Sequence, residues 1–381
     1  MNQSNGVHRC MYLHGIIVVF SKCPIAGSSK TRLTRDGFMN SNEAADLAEA
    51  MLKDIIQSIS EHHLLKTCKK FLVYAPGNEQ GENQMTQILD TMGLKAIPTA
   101  TAELPSDENT SWYLLPMASS VESIQTSLLS SDLGFKLATA LTQIRNWYFY
   151  SNKRVRDSVS KSYQNITGPI MFLGMDSPDL PCDELAEAML ISKEQNKAYL
   201  NPAFDGGYSA LILPENPPPN VFEGIRWSCS LTAISQLKSL SDYGIDTIIG
   251  SMINDVDEIC DVETLARRLC RFYTKENYDL GVKNRKPKHT LYERYRANLQ
   301  HVQDYATQND DNLDILLMRS RRIIESVDRG EKSRNLESFP CANTFQTLLR
   351  LDLIHRVKKD GTNMYYYHTD SRSPNSIDAE K

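Results

Sequence analysis

The sequence lacks most features that would assign it to a familiar class of proteins. Its 381 residues carry a net charge of −5, so no strong overall field favours nucleic acid or anionic lipid. No apolar run approaches a membrane-spanning length, and the N-terminus lacks the basic start and long apolar core of a signal peptide. The eight cysteines include no C-x-x-C pair, which disfavours structural zinc and favours reduced thiols. These absences predict a cytoplasmic protein without membrane contact.

Three common catalytic motifs are missing as well. Without G-x-S-x-G a hydrolase elbow is unsupported, and without G-x-G-x-x-G a dinucleotide-dependent oxidoreductase is disfavoured. Lys30-Thr31 matches the end of a P-loop, but Ser29 and Pro24 stand where its two glycines should be. Any phosphate site must therefore be of another kind.

What the sequence does contain is a regular alternation of short apolar strands and helical patterns. The first helix, at residues 41–60, follows a possible capping box formed by Asn40 and Glu43. This alternation predicts an α/β fold with a mixed, mostly parallel sheet and helices on both faces. The predicted strands lie at residues 15–20, 71–76, 95–100, 169–176, 197–203, 207–214 and 246–250.

The chain is predicted to divide into a domain at residues 1–274, a C-terminal module at 275–370 and a disordered tail at 371–381. Helical patterns and a hairpin signal at Asp360-Gly361 make the module resemble the end of a winged-helix domain. It could contact nucleic acid or protein, or it could be a small packing or dimerisation domain. Residues 101–131 and 149–167 are predicted to be insertions or mobile loops.

The basic loop, within residues 20–33, follows the apolar run of the first predicted strand. Lys22, Lys30 and Arg32 near its tip would suit a diphosphate or triphosphate, and Gly27 would shape the turn. The alternative is a solvated basic loop.

Two acidic motifs follow later strands. Asp176 ends a buried strand, where a carboxylate can hold a hard divalent cation; the alternative, a cap or turn residue, suits Asp179 better. Asp205 precedes Gly206 and Gly207, which would allow a ligand to approach the backbone closely. The same residues also fit a plain hairpin turn.

Three further elements are weaker. Asp132 and Gly134 lie where a helix N-terminus could face an anion, although an ordinary cap fits equally. Trp227 fits core packing. Asp255 and Asp257 are interpreted as the start of a helix with acidic residues in its first turn.

Taken in order, the segments FSKCPIAGSSKTRL, SDLGFKL, LGMDSPDLP, NPAFDGGYSALI, FEGIRWS and DVDEICDVETL resemble a family of glycosyltransferase-like proteins, the radical-SAM/selenodomain-associated transferases. The resemblance covers residues 14–272. That family is similar in fold to GT-A nucleotide-diphospho-sugar transferases and, more distantly, to phospholactate guanylyltransferases. Residues 118–131, residues 149–167 and the C-terminal hundred residues depart from its pattern.

The resemblance implies a transferase that uses a nucleotide or nucleotide-sugar donor, a small-molecule acceptor and Mg²⁺ or Mn²⁺. It implies that Asp176 and Asp205 are catalytic and bind the metal. The nucleotide would contact the following residues: Lys22, Gly27, Lys30, Arg32, Asp132, Gly134, Gly206 and Gly207. Glycosyl transfer is the preferred reaction, nucleotidyl transfer is the second possibility, and a non-catalytic regulatory protein is the third.

Overall fold

The computed structural model describes residues 13–100, 110–117, 133–151, 168–203, 205–253, 255–273 and 341–351. The predicted site residue Asp132, the hairpin at Asp360-Gly361 and the predicted tail lie outside these ranges. The strands are β1 (Ile16–Lys22), β2 (Lys69–Ala75), β3 (Lys95–Pro98), β4 (Ser111–Pro116), β5 (Ile170–Gly174), β6 (Ala198–Pro202), β7 (Tyr208–Leu213) and β8 (Thr247–Ile249). The α-helices are α1 (Ser41–Glu61), α2 (Glu79–Thr91), α3 (Leu133–Ser151), α4 (Cys182–Gln195), α5 (Thr232–Asp242), α6 (Ile259–Tyr273) and α7 (Ala342–Arg350). In the described ranges, 3₁₀ turns lie at Thr31–Gly37, Leu65–Thr67 and Pro219–Phe222.

The eight strands form one sheet in the order β3-β4-β2-β1-β5-β7-β6-β8. All neighbouring strands are parallel except β7, which is antiparallel to both β5 and β6. The predicted mixed, mostly parallel α/β sheet is therefore confirmed. β1 and β5, which end side by side near the middle of the sheet, pair in register from Ile16 with Ile170 to Phe20 with Gly174.

Helices cover both faces of the sheet. Leu141 of α3 and Leu237 of α5 pack on one face, in a cluster that includes Val18 and Phe172. The opposite face is covered by α1, α2 and α4 through residues that include Leu52, Leu89 and Leu185. This coverage explains why the central strands are nearly continuous apolar runs.

The capping box predicted for α1 is confirmed. The Asn40 side chain accepts hydrogen bonds from the backbone N–H groups of Asn42 (2.9 Å) and Glu43 (3.0 Å). In return, the Glu43 carboxylate accepts from the Asn40 N–H at 2.8 Å. These bonds satisfy donors that a helix start otherwise leaves unpaired, so α1 begins at a defined residue.

One prediction about the sheet was wrong. Residues 111–116, within the predicted insertion at 101–131, form strand β4, which lies between β3 and β2. Trp112, Tyr113 and Leu114 are buried there. The polar residues around this short apolar run hid a strand that is buried on both faces. The rest of the predicted insertion lies outside the described residues, except Thr110 and Met117.

Part of the predicted C-terminal module lies against the main domain. Helix α7 packs on α1 and contacts α6. Within the described ranges, no helix combines the length and apolar character needed to span a bilayer. Cysteines 23, 68, 182, 229, 260 and 341, those that the structure describes, form no disulfide.

Candidate functional site

A cavity of about 870 Å³ opens where β1 and β5 end and β7 begins. Ligands of open α/β sheets collect at this edge, because the loops that follow the parallel strands meet there. The charged side chains that line the cavity come from five separate parts of the chain. They are Lys22, Lys30, Arg32, Lys136, Asp176, Asp205, Asp255 and Asp257.

The basic loop enters the cavity through an unusual backbone conformation at Lys30. Lys30 adopts φ 47° and ψ 41°, a left-handed conformation that residues other than glycine seldom occupy. Gly27, with φ 79°, forms the turn before it and does not line the cavity. Strain of this kind is tolerated where surrounding contacts hold a functional residue in place.

The Lys30 ammonium group joins two parts of the site. Its Nζ lies 3.3 Å from Asp176 Oδ2 and 2.9 Å from Asp257 Oδ1. Arg32 also contacts Asp257, with 3.3 Å between its guanidinium nitrogen and Oδ2. The Lys30 side chain is only 8% exposed, whereas that of Arg32 is 52% exposed. Lys30 is thus the inner cation of the basic loop, and Arg32 lies at the rim.

The pKa values follow from this arrangement. Burial acts to lower the pKa of Lys30, but the carboxylates of Asp176, Asp257 and Asp255 outweigh it and raise the pKa above its ordinary value. For Asp257, burial acts to raise the pKa, but Lys30, Arg32 and Lys22 lower it overall. Both Lys30 and Asp257 are therefore charged at neutral pH.

Asp176 lies just past the end of β5, as predicted. Its backbone carbonyl accepts a hydrogen bond from Val256 N–H at 2.8 Å, which ties the 255–257 segment to β5. A Cβ atom at Gly174 would lie 2.6 Å from Asp176 Oδ1, so the glycine leaves room for this carboxylate. The position of Asp176 relative to Asp257 is fixed by backbone contacts as well as by Lys30.

The interpretation of Asp255 and Asp257 as an ordinary helix start was incomplete. Asp261 is the residue that caps α6, because its Oδ2 accepts from the N–H groups of Asp257 (3.1 Å) and Glu258 (2.8 Å). The side chains of Asp255 and Asp257 line the cavity instead. Two carboxylates two residues apart, shortly after a strand that reaches the ligand edge, were the signal in the sequence.

Asp255 occupies an electrostatically unfavourable position. Burial, followed by repulsion from Asp205, Asp176, Asp257 and Asp261, raises its pKa well above the ordinary value. Folding therefore favours the neutral carboxyl. The neutral Asp255 carboxyl favours the folded state in full below the pKa of the unfolded state, about 3.9. This contribution to the free energy of unfolding is lost as the pH rises through the folded-state pKa.

Asp255→Asn is accordingly expected to raise the Tm of the metal-free protein near neutral pH, by about 2–4 °C for each kcal/mol of repulsion removed. The gain should vanish below about pH 4, where the unfolded-state carboxyl is also protonated. Thermal unfolding in EDTA across this pH range measures the effect. Asp242→Asn, an exposed carboxylate paired with Lys238, serves as the control and should leave the Tm unchanged. A lower Tm for Asp255→Asn at neutral pH would contradict the repulsion.

The Asp205-Gly206-Gly207 segment forms a hairpin turn at the cavity, as one of its two interpretations predicted. It closes the β6–β7 hairpin, and the Gly207 N–H donates to Asp205 Oδ1 at 2.7 Å. Gly206 has φ 89°, and a Cβ there would lie 2.3 Å from the Ser230 carbonyl oxygen. Asp205 and Gly207 line the cavity. The turn thus presents a carboxylate while Gly206 packs against the loop before α5.

Gly134 has a packing role. A Cβ there would lie 2.6 Å from the Phe222 carbonyl oxygen and 2.7 Å from Trp227 Nε1. The glycine therefore lets the start of α3 approach this loop closely. Its neighbours Leu133 and Lys136 line the cavity.

The carboxylates are oxygen donors of the kind that Mg²⁺ and Mn²⁺ prefer. In the ranges that the structure describes, no group of three or more His, Cys, Asp or Glu side chains is arranged to hold a metal ion. The residues therefore fit a cation held by one or two carboxylates and completed by phosphate and water, a common mode for Mg²⁺. They do not form a closed cage.

Comparison with known proteins adds the following. Residues 117–229 match one family model. That family, DUF2064, is described as an uncharacterized protein conserved in bacteria. The match includes α3, β5, β6 and β7, and with them Asp176 and Asp205. No curated protein matches the sequence.

Two solved structures are similar to the chain. One, provisionally described as a nucleotide-diphospho-sugar transferase of Desulfovibrio desulfuricans G20, is 20% identical, with 77% of this chain and 99% of that chain covered and a TM-score of 0.48. The other, a cytidylyltransferase of Leptospira borgpetersenii serovar Hardjo-bovis (strain JB197), is 12% identical, with 73% and 100% covered and a TM-score of 0.34. Likenesses of this strength assign no reaction or substrate to this chain.

Proposed function

We propose that the protein is a metal-dependent transferase that takes a nucleotide-activated donor, with glycosyl transfer from a nucleotide-sugar as its reaction. The observation that carries the proposal is the bridge of Lys30 between Asp176 and Asp257 at the ligand edge of the sheet. A buried lysine beside two carboxylates suits a ligand that brings both phosphate and a divalent cation.

In this proposal, Asp176 and Asp205 would hold Mg²⁺ or Mn²⁺, and Asp255 lines the cavity beside them. The bound cation would supply neutralisation of the charge on the donor phosphates. Lys30 and Arg32 donate hydrogen bonds to phosphate oxygens and stabilise the negative charge that the leaving diphosphate gains. Because the Lys30 side chain is already held in place, little reorganisation is needed when the donor binds.

The apolar part of the cavity lining is suited to the acceptor. Leu133, Leu137, Tyr208 and Trp227 line it with largely apolar surface, and Lys136 adds one cation. Small-molecule sites are commonly apolar clefts of about 300–1,000 Å³ with a few placed polar groups. At about 870 Å³, the cavity has space for the reacting parts of a donor and a small acceptor.

Nucleotidyl transfer is a second candidate, favoured by the charge of the basic loop. Lys22, Lys30 and Arg32 all line the cavity, and three cations match the charge of a triphosphate better than that of a diphosphate. In this reaction an acceptor phosphate would attack the nucleotide and pyrophosphate would leave. The same carboxylates could serve it.

A thermal-shift screen of the full chain separates the two reactions. ATP, CTP, GTP and UTP are compared with UDP-sugars and GDP-sugars, each with Mn²⁺, Mg²⁺ or EDTA. A ligand at 100 times its Kd stabilises the folded state by about 2.7 kcal/mol. We expect stabilisation by a nucleotide-sugar that requires the cation.

Stabilisation by nucleoside triphosphates alone would replace glycosyl transfer with nucleotidyl transfer. Cation-dependent binding without product, tested by incubating the best donor with a mixture of small acceptors, would favour a non-catalytic regulatory protein. If no nucleotide stabilises the chain under any condition, the proposed function is wrong.

A further inference from the structure

Helix α7 lies on the side of α1 that faces away from the sheet. Cys341 and Leu348 are fully buried there, in a cluster with Leu47 and Met51 of α1 and Leu265 of α6. At the C-terminal end of α7, Arg350 contacts Asp46 of α1, with 3.0 Å between the guanidinium nitrogen and Oδ2. Both ends of α7 are thus attached to α1.

The attachment of α7 includes a buried carboxylate. Asp54 of α1 is 0% exposed, and its Oδ1 accepts from Asn343 N–H (3.0 Å) and Asn343 Nδ2 (2.8 Å). Its Oδ2 accepts from Thr344 N–H at 2.7 Å. Burial raises the pKa of Asp54, and these hydrogen bonds act in the opposite direction. The bonds satisfy donors at the start of α7 that would otherwise be unpaired, and they compensate a carboxylate that is costly to bury alone.

The same apolar cluster reaches the back of the candidate site. Leu33 and Val256 belong to it, and both are fully buried. Leu33 follows Arg32 in the basic loop, and Val256 separates Asp255 from Asp257. The two segments that meet at the Lys30–Asp257 ion pair are therefore supported by one cluster, which α7 completes from the outside.

We propose that α7 is a positioning element of the nucleotide site, which holds the basic loop and the 255–257 segment at the separation that Lys30 bridges. This inference rests on the proposed function for the identity of the ligand. The docking of α7 itself does not depend on that function. Helix α7 lies outside both the family match at 117–229 and the resemblance over 14–272.

The test compares two leucine truncations in the full-length chain. Leu348→Ala removes the α7 contact, and Leu89→Ala makes the same change at a fully buried position of α2, in the cluster on the sheet face. Hydrogen exchange of peptides that cover residues 29–38 and 255–262 reports on the two site segments without any ligand. Calorimetric titration with pyrophosphate and Mg²⁺ reports on the site, because pyrophosphate is the part common to the candidate donors.

We expect Leu348→Ala to speed exchange in both site segments at least tenfold and to weaken pyrophosphate binding at least tenfold. Leu89→Ala should lower the Tm comparably but leave both measurements unchanged. If Leu348→Ala does not fold, Asn343→Ala removes one hydrogen bond to Asp54 and should give the same pattern with smaller changes.

Exchange that speeds up only along α1 and α7, with both site segments unchanged, would overturn the inference. If Leu89→Ala affects the two segments as strongly as Leu348→Ala, the effect is general loss of stability and the inference also fails. If the wild-type chain binds neither pyrophosphate nor any nucleotide while exchange in both segments still depends on α7, the proposed function is wrong but positioning by α7 is supported.

Discussion

Lys30→Met is expected to weaken cation-dependent nucleotide binding by roughly a hundredfold, or ~3 kcal/mol, the scale found when one partner of a buried charged pair is removed. Lys30 is the inner cation of the basic loop, and its ammonium group contacts two of the cavity carboxylates. Without it, Asp176 and Asp257 would repel the donor phosphates with no cation between them. Calorimetric titration with the best donor from the thermal-shift screen measures the change.

Lys30→Met also leaves two carboxylates without their common partner, so the variant is expected to be less stable. Binding is therefore measured at a temperature where unfolding curves show the variant to be folded. Lys238→Met is the matched control, because Lys238 is an exposed lysine paired with Asp242 on α5. If the Kd of folded Lys30→Met for the donor is within threefold of the wild-type value, Lys30 does not contribute to donor binding.

Asp176→Asn is expected to abolish the dependence of donor binding on a divalent cation. In the wild-type chain Mn²⁺ should strengthen binding, whereas in the variant donor affinity should be similar with Mn²⁺ and with EDTA. Turnover should fall by about a thousandfold, the scale for removing one group that stabilises transition-state charge. The substitution keeps the size of the side chain and removes its negative charge, so lost packing is a small effect.

Asp242→Asn serves as the control for general charge effects, because Asp242 lies on the surface of α5 and is 61% exposed. It should bind donor and cation as the wild-type chain does. If Mn²⁺ strengthens donor binding by Asp176→Asn as much as it does for the wild-type chain, Asp176 does not hold the metal. In that case Asp255 and Asp205 would be the next residues to test.

The sequence predicted the fold well where the signal was local. The strands β1, β2 and β5 are continuous apolar runs, and the start of α1 has both members of its capping box. The apolar residues of α1 divide between two clusters. Ala48, Ile55 and Ile59 face the sheet, whereas Ala44 and Met51 face α6 and α7. The apolar residues of α1 therefore form two buried faces.

The site was predicted only in part, because the ion pairs between its side chains depend on tertiary structure. Lys30 and Asp257 are 227 residues apart, and no spacing rule connects them. Asp176 could be recognised because it ends a buried strand, a position that has meaning in any parallel sheet. Asp255 and Asp257 have the residue types of a helix start, and only the course of the chain after β8 brings them to the cavity.

The docking of α7 also affects how the chain folds during synthesis. Helix α6 is complete at Tyr273, but the last residue of the docked segment, Leu351, follows 78 residues later (351 − 273). At translation rates of about 5–20 residues per second this delay is roughly 4–16 s. Throughout that interval Leu47, Met51 and Leu265 lack the cover of Leu348, and Asp54 lacks the donors of Asn343 and Thr344. The emerging chain thus exposes an apolar face for seconds before its own C-terminal helix can close it, and such a surface attracts chaperones.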